Sequence, residues 1–315
     1  LTIRDAETDS VVKSFSGIQN AVGSVDWSPD GTRIASGSGD STIRIWDIND
    51  VNNPIASVSH DNGYVTAVAW SPDGRFLVTA THSGIIDPMG LRIWDGNTYE
   101  FLHGIRAPDN NMVAWNPDNT KWEIAVTNEA GNVYVLTVTE TDFVFNGWEY
   151  DTTLAMTAVA WNADGTRLAS GDQNGTIFIW DATNNFAQIT TLDEHSDRID
   201  GLVWSPDGQM LSSNSFDNTL RIWNVVSSQS VATIPMAPTF RTPQMDWNTT
   251  GIILGQPDFT VRTIESPKAR AGIDQVVTDA DRTGHENVTL DGSASTDGDG
   301  TIINYSWVEN SVEIT

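Results

Sequence analysis

Five histidines and a large excess of carboxylates are the residues of this chain best suited to chemistry. The histidines are His60, His82, His103, His195 and His285. An imidazole acts as base, proton shuttle or metal ligand only when a partner group stands beside it. No local pattern supplies one: HExxH, GxSxG, a Walker loop and a GxGxxG run in strand–helix context are all absent. The chain has no cysteine, which removes thiol catalysis, cysteine-ligated zinc, iron–sulfur clusters and disulfides. Among the carboxylates, Asp297 and Asp299 flank Gly298 with Asp291 upstream. Calcium takes several hard oxygen ligands from a bent loop, so these three form a calcium candidate. The later ligands and terminal Glu of an EF-hand are missing, and a solvated turn with Asx caps is the competing reading. His82 shares an inserted loop with Asp87, a second pair weighed for metal. No catalytic constellation emerges, and the chain reads as non-enzymatic.

The elements that would hold these residues announce themselves as a repeat. Tryptophans followed by turn signals stand at Trp27, Trp70, Trp115, Trp161, Trp204 and Trp247. A second series closes most units: IRIWD at 43–47, LRIWD at 91–95, IFIWD at 177–181 and LRIWN at 220–224. Val133–Leu136 and Phe259–Arg262 take that place in the third and sixth units. Each unit predicts four short strands, in the first about 22–28, 32–37, 41–47 and 54–59. Pro-Asp-Gly turns the chain between the first two, because proline presets φ and glycine accepts positive φ. Four-stranded sheets of this kind bury their faces by stacking radially.

Composition bounds the rest. The 315 residues carry 42 acidic and 16 basic side chains, a formal net charge of -26. That field argues against nucleic acid and against an anionic membrane surface. No apolar run of spanning length occurs, so membrane insertion is not expected. Leu1 opens directly into strand-like sequence, which reads as a processed or truncated N-terminus. Sequons at Asn174, Asn248, Asn287 and Asn304 would accept glycans only if the chain were exported.

With these units in view, residues 1–267 resemble the WD40-repeat family. The resemblance implies an all-β propeller and, in each blade, a structural network of His, Ser or Thr, Asp and Trp. The fifth unit matches all four with His195, Ser213, Asp217 and Trp223. The second keeps His60 and Trp94, with Thr79 at the hydroxyl position and an insertion, Ser83 to Gly90, disturbing the turn. The first has Ser36, Asp40 and Trp46 without a histidine; the fourth has Ser170 and Trp180, with Asn174 replacing the Asp. The third and sixth are most degenerate, and His103 is placed in the His–Gly region of the third. Leu1–Asp5 and Val11–Phe15 match the last two strands of a further blade, which implies seven blades in the parent chain: six full and one partial here.

Residues 268–315 resemble the N-terminal part of the PKD family, an immunoglobulin-like β-sandwich, through Leu290-Asp291-Gly292-Ser293, Ser295-Thr296-Asp297, Asp299-Gly300, Tyr305 and Trp307. That resemblance implies surface or secreted proteins. The expected function is therefore a non-enzymatic scaffold or adhesion module of a cell-surface or extracellular protein, with protein or surface carbohydrate as partner and self-assembly possible. Two alternatives stay open: a subunit of an extracellular filament, tube or surface layer completed by a neighbour's strands, and an accessory region of a secreted hydrolase. Three segments are candidate contacts: Thr81–Gly90, Thr141–Leu154 with Phe143, Phe145, Trp148 and Tyr150, and Pro235–Pro243 with Met236, Pro238 and Phe240; packing of these aromatics against neighbouring blades is the competing and favoured reading.

Overall fold

The structure is a computed structural model. It describes residues 2–4, 11–15, 18, 20–50, 52–60, 63–82, 90–106, 109–139, 141–236, 245–247, 251–255, 261–265, 307–309 and 312–314. Among these residues every regular element is a β-strand. β1 (Thr2–Arg4) and β2 (Val11–Ser14) form a two-stranded sheet. Five antiparallel blades of four strands follow. The first holds β3 (Val22–Trp27), β4 (Arg33–Ser38), β5 (Thr42–Asp47) and β6 (Ala56–Ser59). The second holds β7 (Tyr64–Trp70), β8 (Phe76–His82), β9 (Leu91–Asp95) and β10 (Phe101–Ile105). The third holds β11 (Asn110–Trp115), β12 (Glu123–Asn128), β13 (Asn132–Val138) and β14 (Phe143–Asp151). The fourth holds β15 (Met156–Trp161), β16 (Arg167–Asp172), β17 (Ile177–Asp181) and β18 (Ala187–Leu192). The fifth holds β19 (Ile199–Trp204), β20 (Met210–Ser215), β21 (Thr219–Asn224) and β22 (Gln229–Pro235).

The sixth unit shows three strands among the described residues, β23 (Met245–Trp247), β24 (Gly251–Gly255) and β25 (Val261–Glu265). Of the expected sandwich at 268–315, a lone hairpin is described, β26 (Trp307–Glu309) with β27 (Val312–Ile314); the rest lies outside the described residues.

Successive blades meet through their first strands: β3 packs on β7, β7 on β11, β11 on β15, β15 on β19 and β19 on β23. The apolar clusters accordingly sit between blades. Val78, Leu91 and Ile93 of the second face Val113, Ile124 and Val126 of the third, and Ala169, Ile177 and Ile179 of the fourth face Leu202 and Leu211 of the fifth. β4, β8, β16 and β20 are buried along nearly their whole length, because a middle strand is covered on both faces.

Two local devices set this spacing. In the turn between the first two strands, Asp30 accepts hydrogen bonds from Ser28 Oγ at 2.6 Å and Thr32 N at 3.0 Å, and Gly31 takes φ 67°. Those bonds, led by the one from Ser28, hold the Asp30 carboxyl at about 2. Asp73, Asp164 and Asp207 repeat the arrangement in later blades. At the blade junctions, Trp115 Nε1 donates to Ala69 O at 2.9 Å, Trp161 Nε1 to Ala114 O at 3.2 Å and Trp204 Nε1 to Ala160 O at 3.1 Å. Each indole thus caps the first strand of the blade before it. Trp27 occupies the same place in the first blade yet is 46% exposed.

This contrast predicts unequal costs. Replacing Trp204 by Phe leaves the Ala160 carbonyl unmet in a dry junction and should lower unfolding stability by about 1–3 kcal/mol. Trp27→Phe should change it by less than about 0.5 kcal/mol. Urea denaturation followed by circular dichroism checks the pair; equal losses would show that the junction bonds carry no weight.

Candidate functional site

The fifth blade brings together a Ser, a His and an Asp in the order known from nucleophilic catalysis. β20 carries Ser213, β21 carries Trp223, the turn between them carries Asp217, and the loop into β19 carries His195. His195 Nε2 lies 2.7 Å from Ser213 Oγ, and His195 Nδ1 lies 2.7 Å from Asp217 Oδ2. Trp223 Nε1 donates to Ser213 Oγ at 2.8 Å. Asp217 also accepts from Thr219 Oγ1 at 2.6 Å and from Ser196 N at 3.1 Å.

One assignment of protons satisfies every group. The indole donates to Ser213 Oγ, the hydroxyl donates to Nε2, and Nδ1–H donates to Asp217. The imidazole is then neutral. Burial lowers the His195 pKa, outweighing the hydrogen bond and charge of Asp217, which raise it. Burial pushes the Asp217 carboxyl up, but the bonds from Thr219 and His195 prevail and hold it below its ordinary value.

A working Ser–His–Asp triad needs its hydroxyl open to a carbonyl carbon and a set of donors for the developing oxyanion. Ser213 is fully buried in the middle of a sheet, and its oxygen already accepts the Trp223 indole proton. The constellation ties strands together and leaves no space for a substrate.

The other blades rebuild this network with what they have. In the second, His60 Nε2 lies 2.6 Å from Thr79 Oγ1, which also accepts from Trp94 Nε1 at 2.9 Å, so Thr79 does fill the hydroxyl position. In the first, Trp46 Nε1 donates to Ser36 Oγ at 2.9 Å, and Asp40 pairs with Arg44 at 2.8 Å. In the fourth, Trp180 Nε1 donates to Ser170 Oγ at 3.0 Å. Its turn acid is Asp172 rather than a residue at position 174: Asp172 Oδ1 accepts from Asn174 N at 2.9 Å and from Thr176 N at 2.8 Å. Asn174 does stand where Asp217 and Asp40 stand in their blades, as expected, while the carboxylate itself comes from Asp172 two residues earlier, visible in Asp172-Gln173-Asn174-Gly175. In the third, buried Val126 and Leu136 stand where Ser and Trp stand elsewhere, so the polar pair is replaced by an apolar one.

His103 requires correction. It lies inside β10, the outermost strand of the second blade, with Nε2 3.1 Å from Thr139 O and its ring 5.1 Å from Phe143. The structural histidines instead precede a first strand, as His60 precedes β7 and His195 precedes β19. His82 pairs with Asp109 at 3.6 Å, across an exposed surface. Asp87, His285 and the calcium candidates Asp291, Asp297 and Asp299 lie outside the described residues. Among the described residues no group of three or more His, Cys, Asp or Glu is arranged for a metal.

The aromatic stretch mostly packs inward. Trp148 stacks on Phe186 at 4.4 Å, Tyr150 lies 4.6 Å from Trp180, and Phe143 is buried. These rings clamp the third blade to the fourth. Val144 and Phe145 remain about half exposed and open to a partner. Of the inserted loop, Thr81 N bonds Gly90 O at 2.9 Å at its base; residues 83–89 lie outside the described residues. Of Pro235–Pro243, Met236 is buried and 237–243 lie outside the described residues.

Comparison with known proteins agrees with this geometry. Residues 9–47, 52–87, 143–181 and 186–224 match the model of the WD domain, G-beta repeat. The chain is 29% identical over 198 residues to Protein HIR1 of Cryptococcus neoformans, covering 58% of this chain and 18% of that protein. It is 28% identical over 191 residues to the target of rapamycin complex subunit LST8 of Mus musculus, covering 57% of this chain and 55% of that one. It is 28% identical over 154 residues to the small ribosomal subunit protein RACK1y of Oryza sativa, covering 47% and 43%. The chain thus spans between about a fifth and just over half of these relatives. Relatives named for the small ribosomal subunit and a target of rapamycin complex overturn the expectation of a cell-surface or extracellular adhesion, layer or hydrolase protein. That expectation rested on net charge and a 48-residue tail, and neither property selects a compartment.

Two outcomes test the network. Ser213→Ala leaves the Trp223 indole and His195 imidazole buried without their shared partner, and should cost about 2–4 kcal/mol of unfolding free energy. Stability should also fall on acidification. The folded-state pKa of His195 lies below its ordinary 6.5, so the unfolded chain binds the proton first. The His195 contribution is therefore complete above about pH 6.5 and is lost as pH falls toward the lowered value. The Asp217 contribution is lost only further down, as pH falls through its own lowered pKa. Thermal melting from pH 7.5 to 5.5 should show a shallower slope for His195→Gln than for the parent chain; identical slopes would contradict the assignment.

Proposed function

We propose that this chain is a protein-interaction scaffold of the WD-repeat type, acting as a rigid subunit of a multiprotein assembly and engaging basic surfaces of its partners. The observation that carries the reading is the division of labour in the blades. The Ser–His–Asp constellation of the fifth blade is sealed inside, while the described turns and outer strands are left free to bind. Similarity to proteins named as complex and ribosomal subunits supports the same reading.

The basic-partner element rests on charge. The turn aspartates Asp30, Asp95, Asp118, Asp164, Asp181 and Asp207 all have pKa values held below the ordinary carboxylate range, chiefly by hydrogen bonds from Ser or Thr side chains or, for Asp95, from backbone amides. They stay ionised at any physiological pH. Fixed negative charge on a body of formal charge -26 draws cationic partners and speeds encounter. Val144 and Phe145 on β14 supply an apolar contact beside it.

The architecture of the whole is part of the proposal. β1 and β2 are the outer half of a partial blade in a propeller that has seven blades in the parent chain, residues 1–267 holding six full blades beside it, and residues 268–315 belong to a separate module. The exposure of Trp27, whose counterparts Trp115, Trp161 and Trp204 cap a preceding blade, supports that placement. Binding of Lys/Arg-rich peptides, followed by fluorescence anisotropy, tests the function. Affinity should drop several-fold between low and physiological salt, where the screening length is about 8 Å. Absence of binding at low salt, or equal binding of uncharged peptides, would overturn the basic-partner reading.

A further inference from the structure

The turn between β16 and β17 combines an exposed asparagine with a glycine that no other residue can replace. Asn174 is exposed. Gly175 has φ 96°, and a Cβ there would lie 2.5 Å from the carbonyl oxygen of His195 in the loop beneath. Side chains rarely take that φ and the contact admits none, so packing of the fourth blade against the fifth demands glycine after Asn174. Glycine is the one residue whose lack of a side chain leaves its amide nitrogen unshielded beside the preceding asparagine. Here that nitrogen is weakly held, at 3.4 Å from Asp172 O.

We propose that Asn174 is a site of spontaneous deamidation in the folded protein. The Gly175 amide nitrogen attacks Asn174 Cγ and forms the N–Cγ bond of a succinimide. The Cγ–Nδ2 bond breaks, and ammonia leaves with the proton from the Gly175 amide. Water then opens the ring at either carbonyl, giving aspartate or isoaspartate. The aspartate product has a precedent in the repeat, since Asp217 and Asp40 occupy the same position in the turns of the fifth and first blades. The isoaspartate product adds a methylene to a backbone that Asp172 Oδ1 grips at both Asn174 N and Thr176 N. It must break one of those two bonds, so the fourth blade loosens with age.

Two asparagines serve as internal references. Asn218 is the exposed residue of the equivalent turn in the fifth blade, but Thr219 follows it, and a β-branched side chain shields the attacking nitrogen. Asn146 is also exposed and also precedes glycine, yet it lies inside β14 with Oδ1 accepting from Trp148 N at 3.1 Å. That bond ties the side-chain carbonyl to Trp148 at an irregularity in the pairing of β14 with β13, which restricts rotation of the amide toward the Gly147 nitrogen.

The experiment is incubation of the folded chain at mildly alkaline pH, with peptide mapping by mass spectrometry and an isoaspartyl methyl-acceptor assay. Amide-to-acid conversion should be several-fold faster at Asn174 than at Asn146, and slower still at Asn218. In the urea-unfolded chain, Asn174 and Asn146 should convert at similar rates. Asn174→Gln should remove the major isoaspartyl signal while leaving the circular dichroism spectrum unchanged. Protection of Asn174 in the folded chain, or conversion at Asn146 that keeps pace with it, would overturn the assignment.

Discussion

A donor buried between stacked sheets has no water to turn to, and this constraint organises most of the described blades, with the Trp70 indole an exception. An indole N–H left without an acceptor costs about 1–3 kcal/mol. Two series of tryptophans answer it in two directions. Trp46, Trp94, Trp180 and Trp223 donate within their own blade to a hydroxyl on the neighbouring strand. Trp115, Trp161 and Trp204 donate across the junction to a backbone carbonyl one blade back. The first series fixes strand against strand, and the second fixes blade against blade. Apolar packing supplies the area between, but it is directionless; these bonds set the register.

The same constraint explains why the degenerate blades survive. Where the hydroxyl is lost, as at Val126, the indole is lost with it, at Leu136, so neither is left without the other. Where the histidine is lost, Arg44 turns to Asp40 and satisfies the carboxylate from another side. The fifth blade keeps every member and acquires the outline of a hydrolytic triad. Geometry in such a case is an incomplete guide. Ser, His and Asp at hydrogen-bond distance are equally a nucleophile or a strut, and solvent access decides between them.

Surface charge is the counterpart of this dry interior. Among the described residues much of the acid lies at turns, where Asp accepts from a Ser or Thr two residues away and stays ionised. Those bonds shape the turns whatever the compartment, which is why an acidic composition says little about where the protein resides. Its consequence is physical: a negative field that favours basic partners and repels like charge.

Much of the fold was legible in the chain because it repeats. Tryptophans 43 to 46 residues apart, followed by turn signals that are Pro-Asp-Gly in three units, define strands whose observed bounds in the first blade fall within about two residues of those expected. The His195–Ser213–Asp217–Trp223 network, and Thr79 in the second unit, could be assigned from the resemblance that these repeats carry. Three things could not be read that way. Asp172 supplies the turn carboxylate two residues before Asn174, His103 belongs to the outermost strand of the second blade and not to the histidine position of the third, and the aromatic stretch divides, with Trp148 and Tyr150 packed on the next blade and Phe145 half exposed. Periodicity along one chain specifies which residues share a face, since a strand alternates and a turn has fixed chemistry. It does not specify which face meets which neighbour, nor whether a serine beside a histidine is sealed or open. Those depend on contacts between residues more than forty positions apart, such as Trp204 with Ala160, and only the packed stack of blades determines them.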